Sequence, residues 1–325
     1  MKLPTLSELQ SAAELVHSVM PATPQIRWPL LCRRTEAEVW VKHENHTPVG
    51  AFKVRGGIVY MDALRRRQPG ITGVIAATRG NHGQSVAFAA ARFGLRSVIV
   101  VPHGNSVEKN AAMRALGAEL VEFGHDFQEA YEYAQRLAEE QALHLVRSFD
   151  AGLLAGVGSY AVELFGAVPE IDAVYVPIGM GSGLCSVIAT RNAMGLRTEV
   201  IGVVAAEAPS YALSFTAGRA VNSTVGDTIA DGMACRTPDP AAVEILLAGA
   251  GRVVTVDEAG IRKAMRYLFA DTHNVAEGAG AAGLAALMQE QDRMRGRRVA
   301  IVVTGGNVDT DVFAEVLAAA RPAMA

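Results

Sequence analysis

The chain has 325 residues, half of them hydrophobic and 19% charged, which is long enough for a large core and, by length, about two domains. A net charge of −3, a pI near 6.3 and no basic tract longer than Arg65–Arg67 argue against a nucleic-acid partner. No run of 18 apolar residues marks a membrane span, no signal-peptide pattern is visible, and Cys32, Cys185 and Cys235 form neither a disulfide framework nor a metal knuckle, so a cytoplasmic, reducing location is expected.

In chain order, VWVK (39–42) reads as the first strand. GAFKVRGG (50–57) follows, with a lysine and an arginine two apart, wedged between a phenylalanine and paired glycines. It reads either as a loop entering a helix with both charges solvated, or as a placed amine. GVIAA (73–77) is the next strand, and ATRGNHGQS (77–85) turns it into the helix NHGQSVAFAAARFG. Asn81 and His82 stand at that helix start, where Asn81 caps or the free N–H groups grip an anion. SVIVV (97–101), a helix with Ser106 as N-cap and Gly117 at its end, AELVEF (118–123) and the helix DFQEAYEYAQRLAEEQ complete three strand–helix units. These predict a small domain over 65–147, with 1–64 plus 148–325 forming a large one. The chain restarts with SFDAGLLAGVGSYAVELFG and AVYVP (173–177). TEVIGVV (198–204), RVVTV (252–256), a helix beginning at Asp257, RVAIVVT (298–304) and the helix DTDVFAEVLAAA follow, with no further regulatory domain expected. Strands that are apolar throughout, alternating with amphipathic helices, predict an α/β fold of mostly parallel sheets.

Three polar glycine turns stand at the carboxyl ends of strands, where open α/β sheets collect ligands. IGMGSGLCSVI (178–188) offers Gly179, Gly181 and Gly183 with Ser182 at a helix start, the pattern of a phosphate cradle or of a plain tight turn. It lacks the Gly-Lys-Ser/Thr of a nucleotide-triphosphate loop. It matches a dinucleotide fingerprint poorly, since the glycines run G-x-G-x-G, although Glu207 lies not far beyond. A phosphate monoester suits it at least as well. The turn at 77–85 and VVTGGNVD (302–309), with Thr304, are the other two. A lysine, a monophosphate and an aromatic residue beside the lysine together suggest pyridoxal phosphate.

KHENHTPVGAFKVRGG resembles the cofactor-lysine motif of the serine/threonine dehydratases, within the tryptophan-synthase-β-like, fold type II pyridoxal-phosphate enzymes. The Gly-Asn-His-Gly-Gln turn and the terminal Gly-Gly-Asn follow in the family's order, and the resemblance spans nearly the whole chain. It implies two open, mostly parallel α/β domains with the cofactor in the crevice between them, and a homodimer or homotetramer.

The resemblance also implies roles. Lys53 would carry the cofactor as a Schiff base and move the α-proton. Phe52 would pack on the pyridine ring, Asn81 would bond its phenolic oxygen, and Thr304 would face its nitrogen with a hydroxyl. Gly179, Met180, Gly181, Ser182, Gly183 and Leu184 would cradle the phosphate. Thr78, Asn81 and the His82 N–H would hold the substrate carboxylate. Apart from the resemblance, the residue types themselves give Arg79 either a second substrate carboxylate or a loop salt bridge, and give Arg55 a structural salt bridge.

The activity implied is α,β-elimination from a β-hydroxy-α-amino acid, giving a 2-oxo acid and ammonia. L-threonine and L-serine are the default substrates; a bulkier one such as 3-phenylserine or 3-hydroxyaspartate stays open. Rival readings are a serine racemase or β-replacement synthase of the same fold, a nucleotide-binding oxidoreductase and a non-catalytic sensor.

Three departures from the family pattern matter. Met180 and Ser182 interrupt a run of glycines. Arg79 stands where racemising relatives place a serine that works on the opposite face. Val204, Ala205 and Ser210 stand around the place of a cation site, with Glu207 displaced, so no metal is expected. Chelation with EDTA should therefore leave the rate nearly unchanged; a large loss restored by magnesium or calcium would contradict this.

Overall fold

The computed structural model describes residues 1–319, so the end of the predicted 148–325 segment, residues 320–325, lies outside the described residues. The strands are β1 (Gln25–Arg27), β2 (Glu38–His43), β3 (Gly73–Ala77), β4 (Arg96–Val101), β5 (Glu119–Glu122), β6 (His144–Leu145), β7 (Ala173–Pro177), β8 (Glu199–Ala205), β9 (Arg252–Val256) and β10 (Arg298–Val303). The helices are α1 (Leu6–His17), α2 (Pro29–Thr35), α3 (Lys53–Arg67), α4 (Asn81–Ala91), α5 (Val107–Ala115), α6 (Phe127–Glu140) and α7 (Ala151–Ala167). They continue with α8 (Ser182–Ala193), α9 (Ser210–Ala217), α10 (Pro240–Gly249), α11 (Glu258–Thr272), α12 (Gly278–Gln289), α13 (Gln291–Met294) and α14 (Thr310–Ala318).

The strands make two sheets. One runs β1-β2-β10-β7-β8-β9, and β1 is its single antiparallel member; the other, β5-β4-β3-β6, is parallel throughout. The strands of the second sheet all fall between Gly73 and Leu145. The eight strands expected from sequence are present, within a residue at each end. Sequence periodicity missed β1 and β6, which have three and two residues and carry no alternation long enough to read.

Burial on both faces explains the continuous apolar runs. In β10, Val299, Ile301 and Val303 pack into one core with α11 and α12. Ala300 and Val302 face the opposite core, with α7 and α8. In β3, Val74 and Ala76 face one side and Ile75 and Ala77 the other.

The paired glycines after Lys53 have a packing reason. A Cβ on Gly57 would sit 2.3 Å from the Ser85 hydroxyl of α4, so α3 crosses α4 at backbone distance. The helix starts behave as the sequence suggests at Ser106, whose hydroxyl accepts from the Lys109 N–H, and at Asp257, whose carboxylate accepts from the Gly260 N–H.

Arg55 is fully buried and not solvated. It donates to both oxygens of Glu44 (2.7 and 3.1 Å) and both of Glu163 (2.7 and 3.0 Å), as well as to Ser159 and Thr23. The fully buried Lys42 also donates to Glu163. Burial penalises the Glu163 carboxylate, but Arg55 and Lys42 outweigh it and hold its pKa at about 2. This network ties α3 to Glu44 just after β2, to Thr23 and to α7.

Candidate active site

The carboxyl ends of β3, β7 and β10 open onto one crevice that is continuous with solvent. Phe52, Lys53, Thr78, Arg79, Asn81, His82, residues 179–183 and Thr304 all line it. Leu184 does not: its side chain is buried in the core beside α7 and α10, and only its backbone belongs to the loop.

Lys53 opens α3, set by the backbone bond from the Phe52 N–H to the Thr304 carbonyl (3.0 Å) and by a bridge between Ala51 and Gly305. Its amine donates to the Ser182 hydroxyl (2.8 Å) and to the Ser148 carbonyl (3.3 Å). Carboxylates do not pair with it among the described residues, and desolvation lowers its pKa to about 8. Phe52 packs edge-on against Tyr160 and keeps its ring beside the Lys53 amine.

The 178–184 turn is a cradle of donors. Gly181 has φ +98°, a left-handed backbone that favours glycine, and a Cβ on Gly179 would meet the Gly232 carbonyl at 2.2 Å. α8 begins without a side-chain cap. Among the described residues, no acceptor partners the N–H groups of residues 179–184. Met180 and Ser182 therefore do not spoil the cradle, because the donors are backbone groups. Ser182 turns its hydroxyl to Lys53, a contact the sequence did not suggest.

The 77–85 turn is a second donor set. Thr78 Oγ1 accepts from the N–H groups of Gly80 (2.8 Å) and Gly83 (3.2 Å), which leaves its hydrogen to donate into the crevice. The N–H groups of Asn81 and His82 have no acceptor among the described residues. Asn81 does not cap the helix. Its amide donates to Glu277 (2.6 Å) and accepts from Asn307 (2.8 Å), which fixes its orientation. The His82 ring bonds the Val146 carbonyl (3.1 Å), and burial, reinforced by nearby Lys53, lowers its pKa to about 3, so it stays neutral. Arg79 makes no ion pair or hydrogen bond among the described residues, so the loop salt bridge is absent. The Thr304 hydroxyl likewise has no partner there.

Sequence reasoning missed the acid–base wall opposite. Lys109 on α5 pairs with Asp231 (2.7 Å) and Glu277 (3.2 Å), reaching across the crevice from the four-stranded sheet's side. Burial works against its charge, but the two carboxylates outweigh this and hold its amine above the ordinary lysine range. Both acids lie 122 or more positions beyond Lys109 in the chain, and no local motif marks them. Among the described residues, no group of three or more His, Cys, Asp or Glu could hold a metal ion.

An amine whose pKa burial lowers, an aromatic wall, an unpaired hydroxyl and an empty-handed ring of backbone donors fit an aldehyde cofactor bearing one phosphate. Comparison with known proteins agrees: residues 18–305 match the model of the family described as pyridoxal-phosphate dependent enzyme, and the chain belongs to that family. L-threonine ammonia-lyase of Thermotoga maritima is 34% identical over 317 residues, covering 96% of this chain and 78% of that protein. L-threo-3-hydroxyaspartate ammonia-lyase of a Pseudomonas species is 31% identical over 318 residues, 98% of this chain and 99% of that one. Among solved structures, a pyridoxal 5'-phosphate-dependent aspartate racemase superimposes with a TM-score of 0.89 at 28% identity, covering 94% of this chain and 97% of its own. The fold is that of the fold type II enzymes, and the cofactor is pyridoxal phosphate.

Proposed function

We propose that this enzyme is an ammonia-lyase that removes water from a β-hydroxy-α-amino acid and releases a 2-oxo acid and ammonia. The observation that carries the reading is the Lys53 amine, set uncharged-prone between Ser182 and Ser148 at the mouth of a backbone phosphate cradle. Residues 65–147 would form the smaller lobe over the crevice. No helix among the described residues is long and apolar enough to cross a membrane, and Cys32, Cys185 and Cys235 are free thiols, which supports a cytoplasmic setting. A homo-oligomer is expected from the family resemblance, and sedimentation would measure its size.

Bound pyridoxal phosphate supplies an aldehyde that links amines covalently and a ring that withdraws electrons from Cα. Residues 179–184 would hold its phosphate through their N–H groups, and Phe52 would cover one ring face. Thr304 would meet the ring nitrogen with a hydroxyl, which leaves that nitrogen largely unprotonated. The Thr78 hydroxyl and the Asn81 and His82 N–H groups orient the substrate carboxylate. Once released, Lys53 takes the α-proton, because its lowered pKa keeps a usable neutral fraction, roughly a tenth at pH 7. Neutral His82 adds no charge beside it.

One test follows from the lowered pKa of Lys53. Only the neutral amine attacks an aldehyde, so capture of pyridoxal phosphate by apoenzyme should accelerate about tenfold per pH unit below pH 8 and level off above it. A plateau reached only near the ordinary lysine value, in a stopped-flow absorbance titration, would contradict a desolvated Lys53.

A second reading, racemisation, is favoured by the likeness to the aspartate racemase. Arg79 argues against it: a guanidinium stays protonated near neutrality and trades protons poorly. With L-serine as substrate, chiral chromatography and a pyruvate assay should find pyruvate and ammonia, with D-serine at background. Substantial D-serine would move the enzyme to the racemase class.

A further inference from the structure

We infer that Arg79 makes the enzyme selective for substrates with a second carboxylate on Cβ, that is, for a short 3-hydroxy-2-aminodicarboxylate over serine or threonine. The inference rests on the ammonia-lyase reading and names its substrate class.

Three cations line the crevice, and two are accounted for. Lys109 is matched by Asp231 and Glu277. Lys53 is committed to the cofactor and the α-proton. Arg79 alone has no carboxylate within ion-pairing distance and no acceptor for its guanidinium among the described residues.

The anions of a monocarboxylic substrate and of the cofactor do not require it. The phosphate has the N–H groups of residues 179–184. The α-carboxylate has the free N–H groups of Asn81 and His82 and the Thr78 hydroxyl, whose oxygen is already occupied by Gly80 and Gly83. One planar, permanently charged fork is left over in a half-buried position, within the turn that holds the α-carboxylate. That placement suits an acidic group one bond beyond Cβ, and a guanidinium pairs carboxylates in a bidentate way that no methyl or hydrogen on Cβ can exploit.

The chemistry is the same elimination. The Cα–H and Cβ–O bonds break, water leaves, and hydrolysis of the resulting imine consumes one water and releases ammonia. The smallest such substrate, 3-hydroxyaspartate, gives oxaloacetate and ammonia with no oxidant or reductant.

The test separates this inference from the parent reading by starting with ligands that cannot eliminate. L-aspartate and L-2-aminobutyrate differ at the end of the side chain, carboxylate against methyl, and neither has a β-hydroxyl. Titrated calorimetrically into holoenzyme, aspartate should bind about 10- to 100-fold more tightly, the range for one charge-assisted bidentate contact. In Arg79→Gln that ratio should fall to near one, and Arg79→Lys should restore part of it. The kcat/KM ratio of threo-3-hydroxyaspartate to L-serine should exceed one in wild type and fall by a similar factor in Arg79→Gln. Equal binding of the two ligands by wild-type protein overturns the inference. So does a variant that weakens both equally, which would place Arg79 on the α-carboxylate. Failure of the ammonia-lyase reading shows separately, as no ammonia from any β-hydroxy amino acid, while the binding ratio still decides the role of Arg79.

Discussion

Lys53→Ala is expected to lose turnover by about 10³-fold or more while the protein stays folded. On the proposed role of Lys53 the variant removes the covalent anchor and the base together, and each alone is worth orders of magnitude. The other lysines, Lys2, Lys42, Lys109 and Lys263, offer no substitute near the cradle: Lys42 is committed to Glu163, and Lys109 to Asp231 and Glu277. The fold should survive because the lost contacts are two hydrogen bonds from an amine that burial already disfavours. Urea unfolding should place the variant within about 1 kcal/mol of wild type. Exogenous methylamine or ethylamine should recover part of the activity, as expected when a missing amine base is supplied in trans. Wild-type turnover in the variant would sink the assignment of Lys53.

Arg55→Met should behave in the opposite manner, with a large loss of stability. Arg55 is the hub for Glu44 and Glu163, both buried, and its removal takes from Glu44 its ion-pair partner and leaves Glu163 with Lys42 and His17. Breaking a buried ion pair from one side costs about 3–5 kcal/mol, because the remaining charge keeps its desolvation penalty. The urea midpoint should fall accordingly. The triple variant Arg55→Met with Glu44→Gln and Glu163→Gln should recover part of that loss, since the orphaned charges are gone. A single variant within about 1 kcal/mol of wild type would show that the network is not what holds α3 in place. Because Lys53 lies two residues before Arg55 at the start of the same helix, activity in the single variant should fall together with the melting temperature.

The parallel sheets were readable because most of their strands are apolar throughout and their turns carry glycine and polar residues at fixed places. Gly179, Gly181, Asn81 and Thr304 could be placed on one crevice from the rule that ligands gather at the carboxyl ends of strands. What could not be read were contacts made only by tertiary closure. Lys109 meets Asp231 and Glu277 across the crevice, and each of these stretches, seen alone, is an ordinary polar helix start or loop. Ser182 looked like one more loop donor, and only the fold shows its hydroxyl against the Lys53 amine. Leu184 takes part in the turn through its backbone alone, and only the fold shows its side chain rotated into the core. Arg79 was open between two partners in sequence, and the absence of a loop carboxylate beside it could be learned only from the folded chain. β1 and β6 are too short for any periodicity to register.

The most direct test of the account is chemical. Holoenzyme saturated with pyridoxal phosphate, reduced with borohydride and digested, should yield one pyridoxyl-modified peptide by mass spectrometry, the one containing Lys53. The same preparation before reduction should release ammonia and a 2-oxo acid in equal amounts from a β-hydroxy-α-amino acid. Modification at Lys42, Lys109 or another lysine in place of Lys53, or no modification at all, would contradict the site described here.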